Sequence, residues 1–348
     1  MTQVQIQPPY VLFLGDVNDP FLAKTAAGIA QWQKDKVVGQ LRLADCKVDL
    51  GLRDVSLLQA QQLGAKSLVI GVANVGGQIQ PSWIPVLVEA LLLGLDVVSG
   101  MHTDLLHIPQ VAAAAAQSKA RVLNIRKSPL GLPIANGKKR QGRRLLTVGT
   151  DCAVGKKYSA LAITQALCDL GMNATFRATG QTGIMIAGEG IAVDAVVADF
   201  IAGAAELISP ANDSLHWDVI EGQGSLFNPS YSGVSLGLLH GSQPDAIVVC
   251  HDISRKTVST CPDMAVPEIS RCIDLHLQMA RVINPRAVCV GVCVNTSSLS
   301  RAAAQQYLSD LSAQLGLPCV DPIADGCAAI ASEINNLFPV PLPGCMPL

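Results

Sequence analysis

The chain alternates short, almost wholly apolar runs with longer stretches in which apolar residues recur every three or four positions, the periods of buried strands and of amphipathic helices. Residues 11–14 predict a strand, 15–20 a turn and 21–33 a helix. A helix around 57–63 leads to a strand at 67–70, a helix at 83–93, a strand at 96–99, a helix at 109–119 and a strand at 121–125. Uninterrupted apolar strands separated by helices indicate a parallel sheet covered on both faces, so residues 1–130 are expected to form a Rossmann-like, doubly wound α/β domain. Pro129, Gly131, Pro133 and Gly137, followed by the basic group Lys138, Lys139, Arg140, Arg143 and Arg144, suit neither element, and a solvated linker is expected over 131–144. A second series then begins, with strands at 145–148, 174–178, 218–220, 246–250 and 287–294, and helices at 157–170, 193–207, 266–280 and 302–315. It predicts a second α/β domain over 145–348 with a mostly parallel sheet.

Composition narrows the function classes. Charged residues are 15% of the chain and the formal net charge is -2, so there is no basic excess to hold a phosphate backbone, and a nucleic-acid partner is not expected. The most apolar run, 86–98, is interrupted by Glu89 and Asp96 and is too short to span a bilayer, so no membrane partner is expected either. The 11 cysteines are scattered, several within apolar runs (Cys168, Cys250, Cys289, Cys293), and no Cys-x-x-Cys pair occurs. Together with opening residues that lack the basic start and apolar core of a secretory signal, this predicts reduced thiols and a cytoplasmic protein.

The candidate chemistry centres on one turn. The strand at 145–148 runs into Gly149-Thr150-Asp151-Cys152-Ala153-Val154-Gly155-Lys156, and a helix follows. Glycines let consecutive N–H groups converge on one anion, the helix N-terminus adds its dipole, and the lysine adds a mobile charge, so the segment predicts a P-loop. Its wording resembles the dethiobiotin-synthetase group of P-loop enzymes, as do Glu221-Gly222-Gln223-Gly224 after a strand and a late strand ending at Asn295, where the resemblance implies a base contact. One departure is chemical. The position after Lys156, normally a hydroxyl residue on Mg²⁺, holds Lys157, then Tyr158, and the first suitable hydroxyl is Ser159. Either Asp151, Asp199 and Glu221 hold the metal without it, or the bound phosphates are never cleaved.

Several stretches together resemble one family along nearly the whole chain. They are the P-loop, Arg177-Ala178-Thr179-Gly180-Gln181-Thr182-Gly183, the run from Asp199 to Glu206, the run from Ile220 to Leu226, Leu239-His240-Gly241, and, in the first domain, the run from Gly71 to Gly77 and Ser99-Gly100-Met101-His102. The family is the D-glutamate N-acetyltransferase-like (DgcN-like) group, formerly described only as a domain of unknown function. The resemblance implies acetyl transfer from acetyl-CoA to the amino group of D-glutamate or a related amino acid by a P-loop NTPase-like second domain. The expected cofactor contacts are Gly149, Thr150, Asp151, Cys152, Ala153, Val154, Gly155, Lys156, Lys157, Tyr158 and Asn295. A homodimer is expected from the resemblance alone.

Acyl transfer to an amine needs a base, oxyanion donors and cations for the substrate carboxylates. His240, His251 and Glu221 are candidate bases. Arg177, or Arg255 with Lys256, is the candidate carboxylate fork, and the backbone at 180–183 or 222–224 offers oxyanion donors. In the first domain Gly71-x-Ala73-x-x-Gly76 faintly resembles a dinucleotide fingerprint, but no acidic residue stands at the expected distance; His102, Thr103 and Asp104, after a strand end, are candidate pocket residues. Two other readings stay open. One is an ATP- and Mg-dependent ligase or kinase, in which Glu221 serves the metal; the other is a nucleotide-binding protein without catalysis.

Overall fold

The structure is a computed structural model that describes residues 6–339. The chain divides into two compact units, one reaching to Pro129 and taking in Gly180–Ala195, the other made of Leu130–Thr179 and the chain from Val196 onward. Both are α/β units on parallel sheets, as the alternation of short apolar runs predicts.

In the first unit the strands are β1 (Tyr10–Gly15), β2 (Val37–Arg42), β3 (Ser67–Ile70), β4 (Asp96–Ser99) and β5 (Val122–Asn124), all parallel, in the order β2-β1-β3-β4-β5. The intervening helices are α1 (Lys24–Trp32), α2 (Leu57–Gln62), α3 (Ile84–Leu92) and α4 (Pro109–Gln117). β1, β3 and β4 are buried at every position, which is why their sequences show no polar alternation and the polar residues Ser67, Asp96 and Ser99 stand only at strand ends. The edge strand β2, Val-Val-Gly-Gln-Leu-Arg, is only partly buried and mixes polar with apolar residues, so no apolar run announces it. Trp83 closes one end of the sheet: its ring stands edge-on to Phe13 at 5.7 Å and its indole N–H donates to Asp16 at 2.9 Å. Gly15 faces that indole with φ +58°, and a Cβ there would lie 2.6 Å from the ring.

The second unit contains β6 (Arg143–Gly149), β7 (Ala174–Arg177), β8 (Trp217–Ile220), β9 (Ala246–Asp252), the antiparallel pair β10 (Thr257–Val258) and β11 (Cys261–Ala265), then β12 (Val288–Asn295) and β13 (Cys319–Val320). Its main sheet is parallel, in the order β13-β12-β9-β6-β8-β7. The helices, in chain order, are α5 (Lys156–Asp169), α6 (Gln181–Ala187), α7 (Ala198–Ile208), α8 (Ser232–Ser242), α9 (Ile269–Arg281), α10 (Arg301–Leu315) and α11 (Ala328–Leu337); of these α6 lies in the first unit, where Thr182 meets Thr25 of α1 at 2.8 Å. Residues 180–195 are thus an excursion that a division at 1–130, 131–144 and 145–348 does not contain.

The segment expected to be a solvated linker is docked instead. The N–H groups of Asn136 and Gly137 donate to the carboxylate of Glu206 on α7, and Gly203 meets the Pro133 carbonyl so closely that a Cβ would come within 1.9 Å. Arg144 is fully buried, and its guanidinium donates to the carbonyls of Arg140, Gln141, Gly142, Ser209 and Pro210. Arg140 donates to Ser209 and Gly241. Two of the clustered cations therefore satisfy carbonyls that have no sheet partner, and burial lowers the pKa of both. Among the described residues no helix is long and apolar enough to cross a membrane.

Candidate functional site

The carboxyl ends of β6, β8, β9 and β12 face the same edge of the second sheet, where an open parallel sheet presents its ligands. β6 ends at Gly149, the chain turns through residues 150–155, and α5 starts at Lys156. The turn needs its glycines. A Cβ on Gly149 would lie 2.8 Å from Val154 Cγ2, and Gly155, the residue before the helix, holds φ +97°. Ala153 also adopts a positive φ of 56°, a conformation that an L-residue occupies at a cost. The result is a curled loop on the N-terminus of a helix of 14 residues.

Lys156 lies in this arc. Its side chain is nearly buried and Nζ donates to the Asp151 carbonyl at 2.8 Å. Among the described residues no carboxylate oxygen comes within ion-pair distance of Nζ, and burial lowers the pKa of the ammonium. A buried cation without a carboxylate partner at the mouth of a helix dipole suits an anion with several oxygens, such as a diphosphate.

The loop is held from three directions. Thr150 Oγ1 meets His251 Nδ1 at 3.0 Å, at the end of β9. Ser225 Oγ donates to the Gly149 carbonyl at 2.9 Å, and Gly222 N–H donates to Thr147 Oγ1 at 2.9 Å. Asp151, with no exposed surface, accepts from Asn228 Nδ2 (3.0 Å), from Ser259 N–H (2.6 Å) and Oγ (3.1 Å), and from Arg255 (3.2 Å). Ser259 lies in the turn between β10 and β11, so this carboxylate ties the hairpin to the P-loop. Neither Asn228 nor Ser259 carries a local signal in the sequence; both act through contacts across 77 and 108 positions.

The predicted residues divide into those this edge gathers and those it does not. Residues 149–158, Glu221, His251 and Asn295 stand at the carboxyl edge. Burial pushes the Cys152 thiol and the Tyr158 phenol up, and the Lys157 ammonium lies 4.1 Å from the centre of the Tyr158 ring. Glu221, almost buried, accepts the Thr179 N–H at 3.0 Å, and its carbonyl accepts the Thr179 hydroxyl at 2.6 Å. Burial lowers the pKa of His251. Asn295 spends its side chain on Asp252 and on Ser297 N–H. His240 stands elsewhere: it lies in the last turn of α8, which feeds the amino end of β9, so it lies toward the opposite edge, with Nε2 3.2 Å from the Met279 carbonyl. Arg177 is engaged by the buried Asp218 at 2.7 Å, where His216 also approaches, rather than held out as a carboxylate fork. Asp199 is exposed in the first turn of α7. Among the described residues no group of three or more His, Cys, Asp or Glu side chains is placed to hold a metal ion, so Asp151, Asp199 and Glu221 do not form one seat. The hydroxyl nearest to the usual magnesium position, Ser159 Oγ, donates to the Gly155 carbonyl in its own helix.

In the first unit, Gly71 packs against Ala26, whose Cβ would be 2.3 Å from a Cβ on the glycine, so helix contact accounts for it without a dinucleotide. A surface groove between Leu41 and Glu89 has its main charge, Arg42, already forked by Asp54.

Residues 133–331 match a family model described as "Domain of unknown function (DUF1611_C) P-loop domain", and residues 41–128 match "Domain of unknown function (DUF1611_N) Rossmann-like domain". A curated relative from Pseudoalteromonas sp, named D-glutamate N-acetyltransferase, is 44% identical over 331 residues, covering 95% of this chain and 100% of the relative. One of the same name from Tritonibacter scottomollicae is 46% identical over 329 residues, covering 94% and 99%. The crystal structure of a DUF1611 family protein from Anabaena variabilis superposes with a TM-score of 0.84 at 32% identity, covering 94% of this chain and 99% of that one.

Proposed function

Because the chain belongs to the DUF1611 family, matching both its Rossmann-like and its P-loop model, we propose that it is an N-acetyltransferase that moves the acetyl group of acetyl-CoA to the amino group of D-glutamate. The names of the two relatives at 44% and 46% identity support the reaction and the acceptor. The observation that carries the donor is Lys156, a buried ammonium set in an arc of backbone without a carboxylate partner. Acetyl-CoA would bring a diphosphate to that arc and a thioester for the amine to attack.

The residues at the sheet edge then have distinct tasks. The N–H groups of the loop and the ammonium of Lys156 hold phosphate oxygens. Because no phosphoanhydride breaks, the reaction needs no hydroxyl after Lys156, in keeping with Lys157 at that position. His251, whose pKa burial lowers, takes the proton that the acceptor ammonium must lose before its nitrogen forms the new C–N bond; the C–S bond breaks, and the second proton that the nitrogen sheds goes to the sulfur, which leaves as the thiol. Thr150, 3.0 Å from Nδ1, fixes the ring.

Incubation with acetyl-CoA and D-glutamate is expected to release one thiol for each N-acetylglutamate formed, read with a thiol reagent and by mass spectrometry. No release with D-glutamate would overturn the proposal. Lys156→Ala should weaken CoA binding about tenfold to a hundredfold with an unchanged circular-dichroism spectrum, the loss expected for charge-assisted hydrogen bonds. Unchanged affinity would remove the P-loop from the account.

A further inference from the structure

A second polar cluster lies in the first unit, at the carboxyl ends of β3, β4 and β5 and the start of α1. Arg126 stands two residues past the end of β5, with its side chain four-fifths buried. One Nη of Arg126 meets His102 Nε2 and the other donates to Asp194, while its Nε is buried with no hydrogen-bond partner. Lys24, the first residue of α1, has its pKa lowered chiefly by burial and also by the charge of Arg126. Gln181, at the start of α6, has a buried Oε1 that also lacks a partner.

Two glycines allow this assembly. A Cβ on Gly100 would lie 2.1 Å from Gln181 Oε1, and one on Gly77, where φ is +56°, would lie 2.5 Å from His102 Cδ2. The His102 N–H also donates to the Gly77 carbonyl at 2.9 Å. The Thr25–Thr182 contact fixes α6 on α1, so Gln181 and Lys24 keep their places. Two cations, an unsatisfied guanidinium N–H and an unsatisfied amide oxygen therefore converge where an open parallel sheet receives ligands.

We propose that this cluster binds the amino-acid acceptor through a carboxylate, with Arg126 and Lys24 as the cationic contacts and Gln181 Oε1 accepting from an N–H of the ligand. The inference rests on the acceptor being an α-amino dicarboxylate, as in the proposed function. A carboxylate fits the Nε–Nη edge of Arg126 with two parallel hydrogen bonds, where Asp194 uses one. Gln181 and Asp194 add acceptors beside the cations, which favours a zwitterion over a simple anion such as phosphate.

Calorimetry on the full chain, with and without CoA, would compare D-glutamate, D-glutamine, glutarate and inorganic phosphate, using wild type, Arg126→Gln and Lys24→Met. Wild type is expected to bind D-glutamate in preference to glutarate and phosphate, and each variant to weaken it about tenfold or more with CoA affinity unchanged. Variants that bind D-glutamate like wild type would overturn the inference, as would a wild type that binds no dicarboxylic amino acid or prefers phosphate. If Arg126→Gln melts early, Lys24→Met decides, because Lys24 is only partly buried. D-glutamate binding that Arg126 controls, without thiol release in the acetyl-transfer assay, would sink the proposed reaction and leave this site standing.

Discussion

At the scale of single residues, Asp151 is the test of how the phosphate loop keeps its shape. Its two oxygens accept four hydrogen bonds, from Asn228, twice from Ser259 and from Arg255, and all its surface is buried. Asp151→Asn would turn an N–H₂ group toward donors on either side, leaving a buried donor unpaired whichever way the amide sits. The expected cost is roughly 2–3 kcal/mol of stability, with the β10–β11 turn opening to limited proteolysis before the rest of the chain. An unchanged urea midpoint and cleavage pattern would show that the carboxylate is not the tie. This residue also marks the limit of what the sequence discloses. The loop from Gly149 to Lys156 is legible because its function is local, set by glycine torsions and a helix start. The partners of Asp151 are not, because contacts across 77 and 108 positions leave no periodic trace.

Among the elements, those that are uniformly buried are the ones the sequence announces. The expected strands at 67–70 and 96–99 coincide with β3 and β4, since burial on both faces admits only apolar or small residues and Asp96, which pairs with Arg121. α8 escapes notice because Gly233, Gly237 and Gly241 lower its helix propensity, and two of these are there for packing. A Cβ on Gly241 would lie 2.1 Å from the Ala202 carbonyl, and one on Gly237 2.8 Å from Ile201 Cγ2, so α7 and α8 touch backbone to backbone. Gly241→Ala must separate the two helices and disturb the bond from Arg140 to the Gly241 carbonyl. Overpacking of this kind costs about 1–3 kcal/mol, to be read as a lower denaturation midpoint. Gly233→Ala, with nothing within 4 Å of its Cβ, should leave stability unchanged or raise it, and equal losses at both sites would contradict the packing argument.

For the molecule as a whole, the dependence of stability on acid follows from His276, which lies in α9 with no exposed surface. Its Nδ1 is 2.8 Å from the Cys272 carbonyl and carries the proton; Nε2 is buried without a partner. A second proton would place an unpaired charge in the core, and burial accordingly lowers the pKa from 6.5 to about 4. Above pH 6.5 both the folded and the unfolded chain keep this imidazole neutral, so its contribution is fully present. As pH falls toward 4 only the unfolded chain takes up the proton, and the folded state loses about 1.4 kcal/mol for each pH unit, on the order of 3 kcal/mol in all. Denaturation midpoints measured from pH 7.5 down to 4.5 should therefore fall more steeply for wild type than for His276→Leu, whose core holds no titrating group at this position. Parallel curves would mean that the imidazole is protonated inside the fold, with a charge partner that its buried Nε2 does not show.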